Sequence, residues 1–223
     1  MTTRPVPPPS RLGIVSDRRR LAAAAGRPLH DAPALLAEQV AAAAACGVAF
    51  FQVREPDLAA AALCTLTARL IGIAGGRTRI VVNDRADVAA VTGAALHLRH
   101  ASMPAAAVRG WMPNGTWITR AVHAVHDLRL AGPVDALIAG TAAPTASKPA
   151  GSRTLGPAGL AALVAASPVP IFAIGGLGAA QWPWVAASGA FGMAAIGLFL
   201  PRQGEDPGAA VCRAVAECRA VID

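Results

Sequence analysis

The residues best suited to chemistry lie in Gly140-Thr-Ala-Ala-Pro-Thr-Ala-Ser-Lys-Pro-Ala-Gly151, directly after the apolar run Val134 to Ala139. A strand that ends in glycine, then hydroxyls, then a lysine gathers backbone N–H groups, O–H donors and one ammonium at a single rim. That combination grips a phosphate or diphosphate ester. Thr145 and Ser147 flank Lys148, which is the single lysine among 20 basic residues. A lone lysine in an arginine-rich chain suggests a place where a compact ammonium is needed and a planar guanidinium does not serve. Two further rims of the same kind follow, Ile171-Phe-Ala-Ile-Gly-Gly176 and Met193-Ala-Ala-Ile-Gly197. Three anion-ready strand ends point to a phosphorylated small molecule.

Strands must hold these rims in place, and eight apolar runs can do so: 12–16, 48–53, 79–83, 95–98, 117–121, 136–139, 170–174 and 193–196. Most run apolar without alternation, as strands covered on both faces do. Alanine- and leucine-rich helical segments separate them, among them 32–45, 58–73, 156–166 and 208–221, with Asp57 and Asp87 placed to begin helices. Strand and helix repeated eight times predict a single (β/α)8 TIM barrel over residues 11–223, with the proline-rich residues 1–10 as a disordered tail. The competing open, doubly wound sheet usually carries a glycine-rich loop after its first strand, and here that place reads Ser16-Asp17-Arg18. In a barrel the carboxyl ends of the strands converge on one face. Ser16, Asp17, Gln52, Arg54, Asn83, Asp84, His97, His100, His123, Thr145, Ser147, Lys148, Gly175, Gly176 and Gly197 would then meet in one site.

Composition narrows the field further. The chain has 223 residues, a net charge of +7, 54% hydrophobic residues and no tyrosine. Few aromatics argue against an extended stacking surface for single-stranded nucleic acid, and no helix-turn-helix or zinc-finger signature is present. The positive charge is read as general surface charge plus a local anion site, to which Arg18, Arg19 and Arg20 stand close in sequence. The four cysteines form no Cys-x-x-Cys and are expected as reduced thiols. No apolar run reaches transmembrane length without glycine, proline or a charge, and the first ten residues lack an apolar signal region. A cytoplasmic protein without nucleic-acid or membrane partners is expected, and assembly into a homo-oligomer is left open.

Several motifs resemble those of the thiamine phosphate synthase and thiazole tautomerase superfamily, from Leu12 to about Leu200. They are Phe51-Gln-Val-Arg-Glu55, Val82-Asn-Asp-Arg-Ala-Asp-Val-Ala89, Gly93-Ala-Ala-Leu-His-Leu98, Pro144-Thr-Ala-Ser-Lys-Pro149 and Ala173-Ile-Gly-Gly-Leu177. The resemblance implies an enzyme that couples hydroxymethylpyrimidine diphosphate with thiazole phosphate, giving thiamine phosphate and diphosphate. It implies that Gln52, Arg54, Asn83 and Lys148 bind the pyrimidine diphosphate, that Thr145 and Ser147 contact phosphate oxygens, and that Asp84 holds Mg2+. Gly176, Ile196 and Gly197 would receive the thiazole phosphate. Three positions depart from the pattern: Pro56 replaces a lysine, Ser102 the second Mg2+ aspartate, and Ala121 a serine. All three fall on the diphosphate and metal side. A tautomerase, moving a proton without metal through His123, therefore stands as the alternative, beside a non-catalytic binder of thiazole phosphate.

Overall fold

The computed structural model describes residues 11–145, 148–149 and 151–221. The strands are β1 (Leu12–Val15), β2 (Phe50–Val53), β3 (Arg79–Asn83), β4 (Ala95–Leu98), β5 (Ile118–Val122), β6 (Ala136–Ala139), β7 (Ile171–Ile174) and β8 (Gly192–Ala195). They form a closed, all-parallel barrel in sequence order. Closure is made by β1 against β8, with Leu12, Gly13 and Ile14 opposite Met193, Ala194 and Ala195. The expected (β/α)8 barrel is therefore the fold observed, with β3, β4 and β6 where the sequence reading put them and the other strand ends shifted by one or two residues.

The helices are α1 (Arg18–Ala24), α2 (Ala32–Cys46), α3 (Ala60–Ala74), α4 (Ala86–Thr92), α5 (Ala105–Arg109), α6 (Leu128–Ala131), α7 (Gly156–Ala166), α8 (Trp182–Ala187) and α9 (Pro207–Arg219). Helix α2 buries Leu35, Leu36, Val40 and Ala43 and stops at Gly47, whose φ of 75° is left-handed. Asp87 lies in the first turn of α4 as expected. Asp57 does not begin a helix: α3 is preceded by Ala59, and Asp57 instead binds Arg18 and Arg19. Two arginine partners are a stronger attraction for that carboxylate than the partial charge of a helix end.

Apolar side chains occupy two layers. The larger lies between the sheet and the surrounding helices. The smaller fills the barrel itself with Val15, Phe50, Val81, Ala95, Ala136, Ile138, Phe172 and Ala194. Phe50 and Phe172 meet edge to face at 5.1 Å, and Trp117 stands 5.8 Å from Phe50. Arg79 covers the Trp117 ring from 4.7 Å. These aromatics pack the interior toward the amino end of the barrel.

Gly13 makes that packing possible. A Cβ on Gly13 would stand 2.2 Å from the Phe50 ring, and Phe50 is 2% exposed. A rigid ring in a close-packed barrel cannot retreat without displacing its neighbours. Gly13→Ala is expected to destabilise the fold by about 1–3 kcal/mol through overpacking. A urea denaturation midpoint equal to that of the parent chain would refute this packing argument.

Candidate active site

The carboxyl rim begins at β1 and β2. Glu55, 5% exposed, accepts the Ser16 hydroxyl at 2.5 Å, the Arg18 N–H at 3.1 Å and the Arg18 guanidinium at 3.0 Å. Burial pushes the Glu55 carboxyl above its ordinary range, while the Ser16 and Arg18 hydrogen bonds pull it back. Asp57, bound to Arg18 and Arg19, is held well below the usual carboxylate range. The Arg54 N–H donates to the Ser16 oxygen at 2.9 Å, which fixes the backbone of Arg54. Its guanidinium is exposed and has no hydrogen bond or ion pair among the described residues. Buried Gln52 donates to the Asn83 side-chain oxygen at 3.0 Å. That bond leaves the Asn83 NH2 and the Gln52 oxygen to address a ligand.

Asp84 follows β3 with a φ of 58°. The sequence leaves Arg85 as a simple partner for it, but Arg85 binds Asp87. Asp84 instead accepts Arg99 and the Ser102 hydroxyl. Ser102, which by the resemblance stands where a second Mg2+ aspartate would be, lies against the Asp84 carboxylate. The loop bearing Ser102 is held by Arg120, which donates to the carbonyls of His100, Ser102 and Met103 at 2.9, 3.0 and 2.9 Å. Arg120 is 5% exposed, and burial lowers its pKa. Nothing in the sequence reading assigned it a role, although a charge inside the apolar run Ile118–Val122 was the available signal.

His97 is buried, with Nδ1 at 2.8 Å from the Thr119 hydroxyl. Burial takes its pKa down to about 4, against opposing pull from Asp84 and in concert with Arg120 and Arg54. It is a neutral structural ring at pH 7, more deeply buried than its strand-end position suggested.

His123 lies beyond β5. Its backbone N–H donates to Asp127 at 2.7 Å, and its Nδ1 contacts the Gly140 carbonyl. A carbonyl only accepts, so Nδ1 carries a proton and donates it to Gly140. Asp127 is 4% exposed. Burial opposes its ionisation, but the N–H groups of His123 and Ala124, with His100 and His126 nearby, hold it below the ordinary carboxylate range.

The glycine rims meet the lysine loop directly. Ala142 and Ala143 donate to the carbonyls of Ile174 and Gly175 at 2.8 and 2.9 Å. A Cβ on Gly176, whose φ is 67°, would lie 2.3 Å from the Pro144 carbonyl. Only glycine permits that approach, which puts the segment leading to Thr145 and Lys148 against the β7 rim. Lys148 is exposed, its N–H donating to the Thr145 carbonyl at 3.1 Å, and its ammonium has no partner among the described residues. Ser147 lies outside the described residues. Gly197 opens a short 3-10 turn after half-buried Ile196, and buried Gln39 of α2 supports the turn through the Phe199 carbonyl at 2.9 Å. A groove of about 1350 Å³ at the opposite end of the barrel is lined by Arg79, Arg109, Trp117 and Asp135. Barrel chemistry belongs to the carboxyl face, and Arg109 there is already bound to Asp135.

With the site assembled, the family becomes clear. The family model described as thiamine monophosphate synthase matches residues 27–199. The chain belongs to this family. Every rim position named above from Gln52 to Gly197 falls inside the matched span. The chain is 35% identical over 164 residues to a putative thiamine-phosphate synthase of Geobacter sulfurreducens, covering 71% of this chain and 76% of that protein. It is 33% identical over 189 residues to the thiamine-phosphate synthase of Azorhizobium caulinodans, covering 83% and 84%. Among solved structures, thiamine phosphate pyrophosphorylase from Pyrococcus furiosus superposes with a TM-score of 0.76 at 25% identity, covering 95% of each chain.

Buried His97 makes stability depend on pH. Its folded pKa of about 4 lies below the ordinary imidazole value near 6.5, so the unfolded chain binds the extra proton between those values. The stability it confers is complete above about pH 6.5 and is lost as pH falls toward 4, by up to about 3 kcal/mol. His97→Gln retains a partner for Thr119 without a titrating ring, so its stability should fall less over that window. Parallel pH–stability curves for the two proteins would contradict this.

Proposed function

We propose that the chain couples hydroxymethylpyrimidine diphosphate with thiazole phosphate to form thiamine phosphate and diphosphate. The thiazole nitrogen forms a bond to the pyrimidine methylene carbon. The bond from that carbon to the diphosphate oxygen breaks, and its electron pair departs with the diphosphate. The observation that carries this reading is the division of the rim cations. Arg18, Arg19 and Arg99 are bound to carboxylates, whereas the exposed Arg54 guanidinium and Lys148 ammonium have no ion-pair partner among the described residues. Two free cations suit a departing diphosphate, whose growing negative charge they stabilise without rearranging. Gln52 and Asn83, locked to each other, would orient the pyrimidine portion. Thr145, and Ser147 beyond the described residues, would add hydroxyl contacts to phosphate oxygens. Gly176, Ile196 and Gly197 would receive the thiazole phosphate, holding the nucleophile close.

Mg2+ is the cofactor implied by this reading. Among the described residues no group of three or more His, Cys, Asp or Glu side chains could hold a metal. Mg2+ does not require one: it is commonly bound through one or two carboxylates together with substrate phosphates and water. Asp84, which accepts the Ser102 hydroxyl, is the carboxylate that would hold the ion, with Ser102 beside it and Arg99 paired to the same carboxylate. When bound there, Mg2+ would neutralise the diphosphate. A single carboxylate makes a weaker site than two, so Ser102→Asp is expected to lower the half-saturating Mg2+ concentration roughly tenfold. Calorimetric Mg2+ titration in the presence of diphosphate reads this independently of turnover, and unchanged metal affinity would remove Ser102 from the metal site.

The lysine supplies the sharpest test of the synthase reading. Lys148→Ala should slow thiamine phosphate formation by about 100-fold or more while leaving the melting temperature within a degree or two, given an exposed ammonium with no partner among the described residues. Lys148→Arg should also be impaired, because the guanidinium is larger and differently hydrated. An unaltered rate in folded Lys148→Ala would argue against the synthase.

One observation favours a second reading. The Nδ1 of exposed His123 donates to the Gly140 carbonyl, which fixes the ring and leaves Nε2 as the nitrogen that a proton-transferring thiazole tautomerase would use. Incubation with both synthase substrates and Mg2+, then with thiazole carboxylate phosphate alone, separates the two. Metal-dependent diphosphate release with thiamine phosphate supports the synthase. Metal-independent isomerisation abolished by His123→Ala supports the tautomerase.

A further inference from the structure

The three consecutive arginines of α1 meet different fates. Arg18 binds Glu55 at 3.0 Å and also Asp57, and Arg19 binds Asp57 at 2.6 Å. Arg20 is tethered only through its backbone, whose N–H donates to the Asp17 carboxylate at 3.1 Å. Its exposed guanidinium has no hydrogen bond or ion pair among the described residues. Its Nη2 lies 3.6 Å from the point where a Cβ would stand on Gly197. Glycine there leaves that point open, and the Gly197 N–H has no acceptor among the described residues. An unpaired guanidinium and an unpaired backbone donor therefore border one small space at the β8 rim. The acidic groups beside the arginine run, Glu55 and Asp57, are already committed to Arg18 and Arg19, so they do not compete for Arg20.

We propose that Arg20 is a specificity-determining residue that holds the phosphate monoester of the thiazole substrate against the Gly197 turn. The inference rests on the functional reading above for the identity of the ligand. It adds a cation to a pocket otherwise built from backbone amides. A guanidinium fork donates two parallel hydrogen bonds to a phosphate, with charge to match, whereas a neutral hydroxyl in the same place gains little from it. Arg20 would thus separate phosphorylated thiazole from the free alcohol. It lies ahead of residues 27–199, the span that the family model matches, so the assignment comes from this chain's own geometry.

The test is calorimetric binding of thiazole phosphate and of the unphosphorylated thiazole alcohol to the parent chain, Arg20→Ala, Arg20→Lys and Arg19→Ala. Arg20→Ala should weaken thiazole phosphate about 10- to 100-fold and leave the alcohol unchanged. Arg20→Lys should recover part of the loss, and Arg19→Ala should bind both as the parent does. Under turnover, Arg20→Ala should raise KM for thiazole phosphate without raising KM for the pyrimidine diphosphate. Parent-like binding of thiazole phosphate by Arg20→Ala overturns the proposal, as does an equal loss for the alcohol. Thiamine phosphate formation with an unchanged KM overturns Arg20 alone and leaves the synthase reading standing. A binding split without any thiamine phosphate formation supports Arg20 and removes the synthase. Failure of the parent chain to bind thiazole phosphate removes both.

Discussion

A carboxylate cannot be left uncompensated in the mouth of a barrel, and Glu55 is nearly inaccessible there. Its three hydrogen bonds come from Ser16 and Arg18, on the far side of the β1–β2 pair. Satisfying one buried charge therefore locks the end of β1, the start of α1 and the end of β2 to one another. The Ser16 oxygen extends the lock to the Arg54 backbone. The placement of Gln52 and Arg54 on the rim, and of the arginines that open α1, all follows from this one interaction.

The same logic repeats around the rim. Asp84 is satisfied by Arg99 and Ser102, Asp127 by the N–H groups of His123 and Ala124, and the loop after β4 by the buried fork of Arg120. Each carboxylate or buried guanidinium fixes a loop by presenting a charge that only a particular backbone path can answer. Cations used in this way are part of the scaffold. Those left over, just after β2, on the loop after β6 and on α1, are the ones free to meet an anionic ligand. The distinction is electrostatic and follows from local charge balance.

Much of the architecture was legible in the sequence because parallel barrel strands are buried on both faces and read as short apolar runs. β3, β4 and β6 begin and end where the runs do. The ends of β2 and β8 shifted because their flanking residues are as apolar as the strands themselves. Motif spacing located Gln52, Asn83, Asp84, Lys148 and the glycine rims at one end of the barrel. What spacing could not supply was pairing between distant loops. Asp84 meets Ser102 and Arg99, beyond the next strand, rather than Arg85 at its side. Asp57 meets two arginines far back along the chain and gives up the helix start that its position suggested. Arg120 was hidden by its setting, since one charge in an apolar strand names no partner by itself. Such contacts arise only when the barrel closes.

The aromatic packing has a kinetic consequence. With Phe50, Phe172 and Trp117 packing the interior toward the amino end of the barrel, molecules reach the rim and leave it by the same opening. Two reactants and two products sharing one doorway cannot all move independently. If one reactant sits beneath the other, the deeper one must arrive first, and the product nearer the opening must leave first. In that arrangement the order of traffic would be set by the packed barrel interior, a part of the molecule remote from the rim residues.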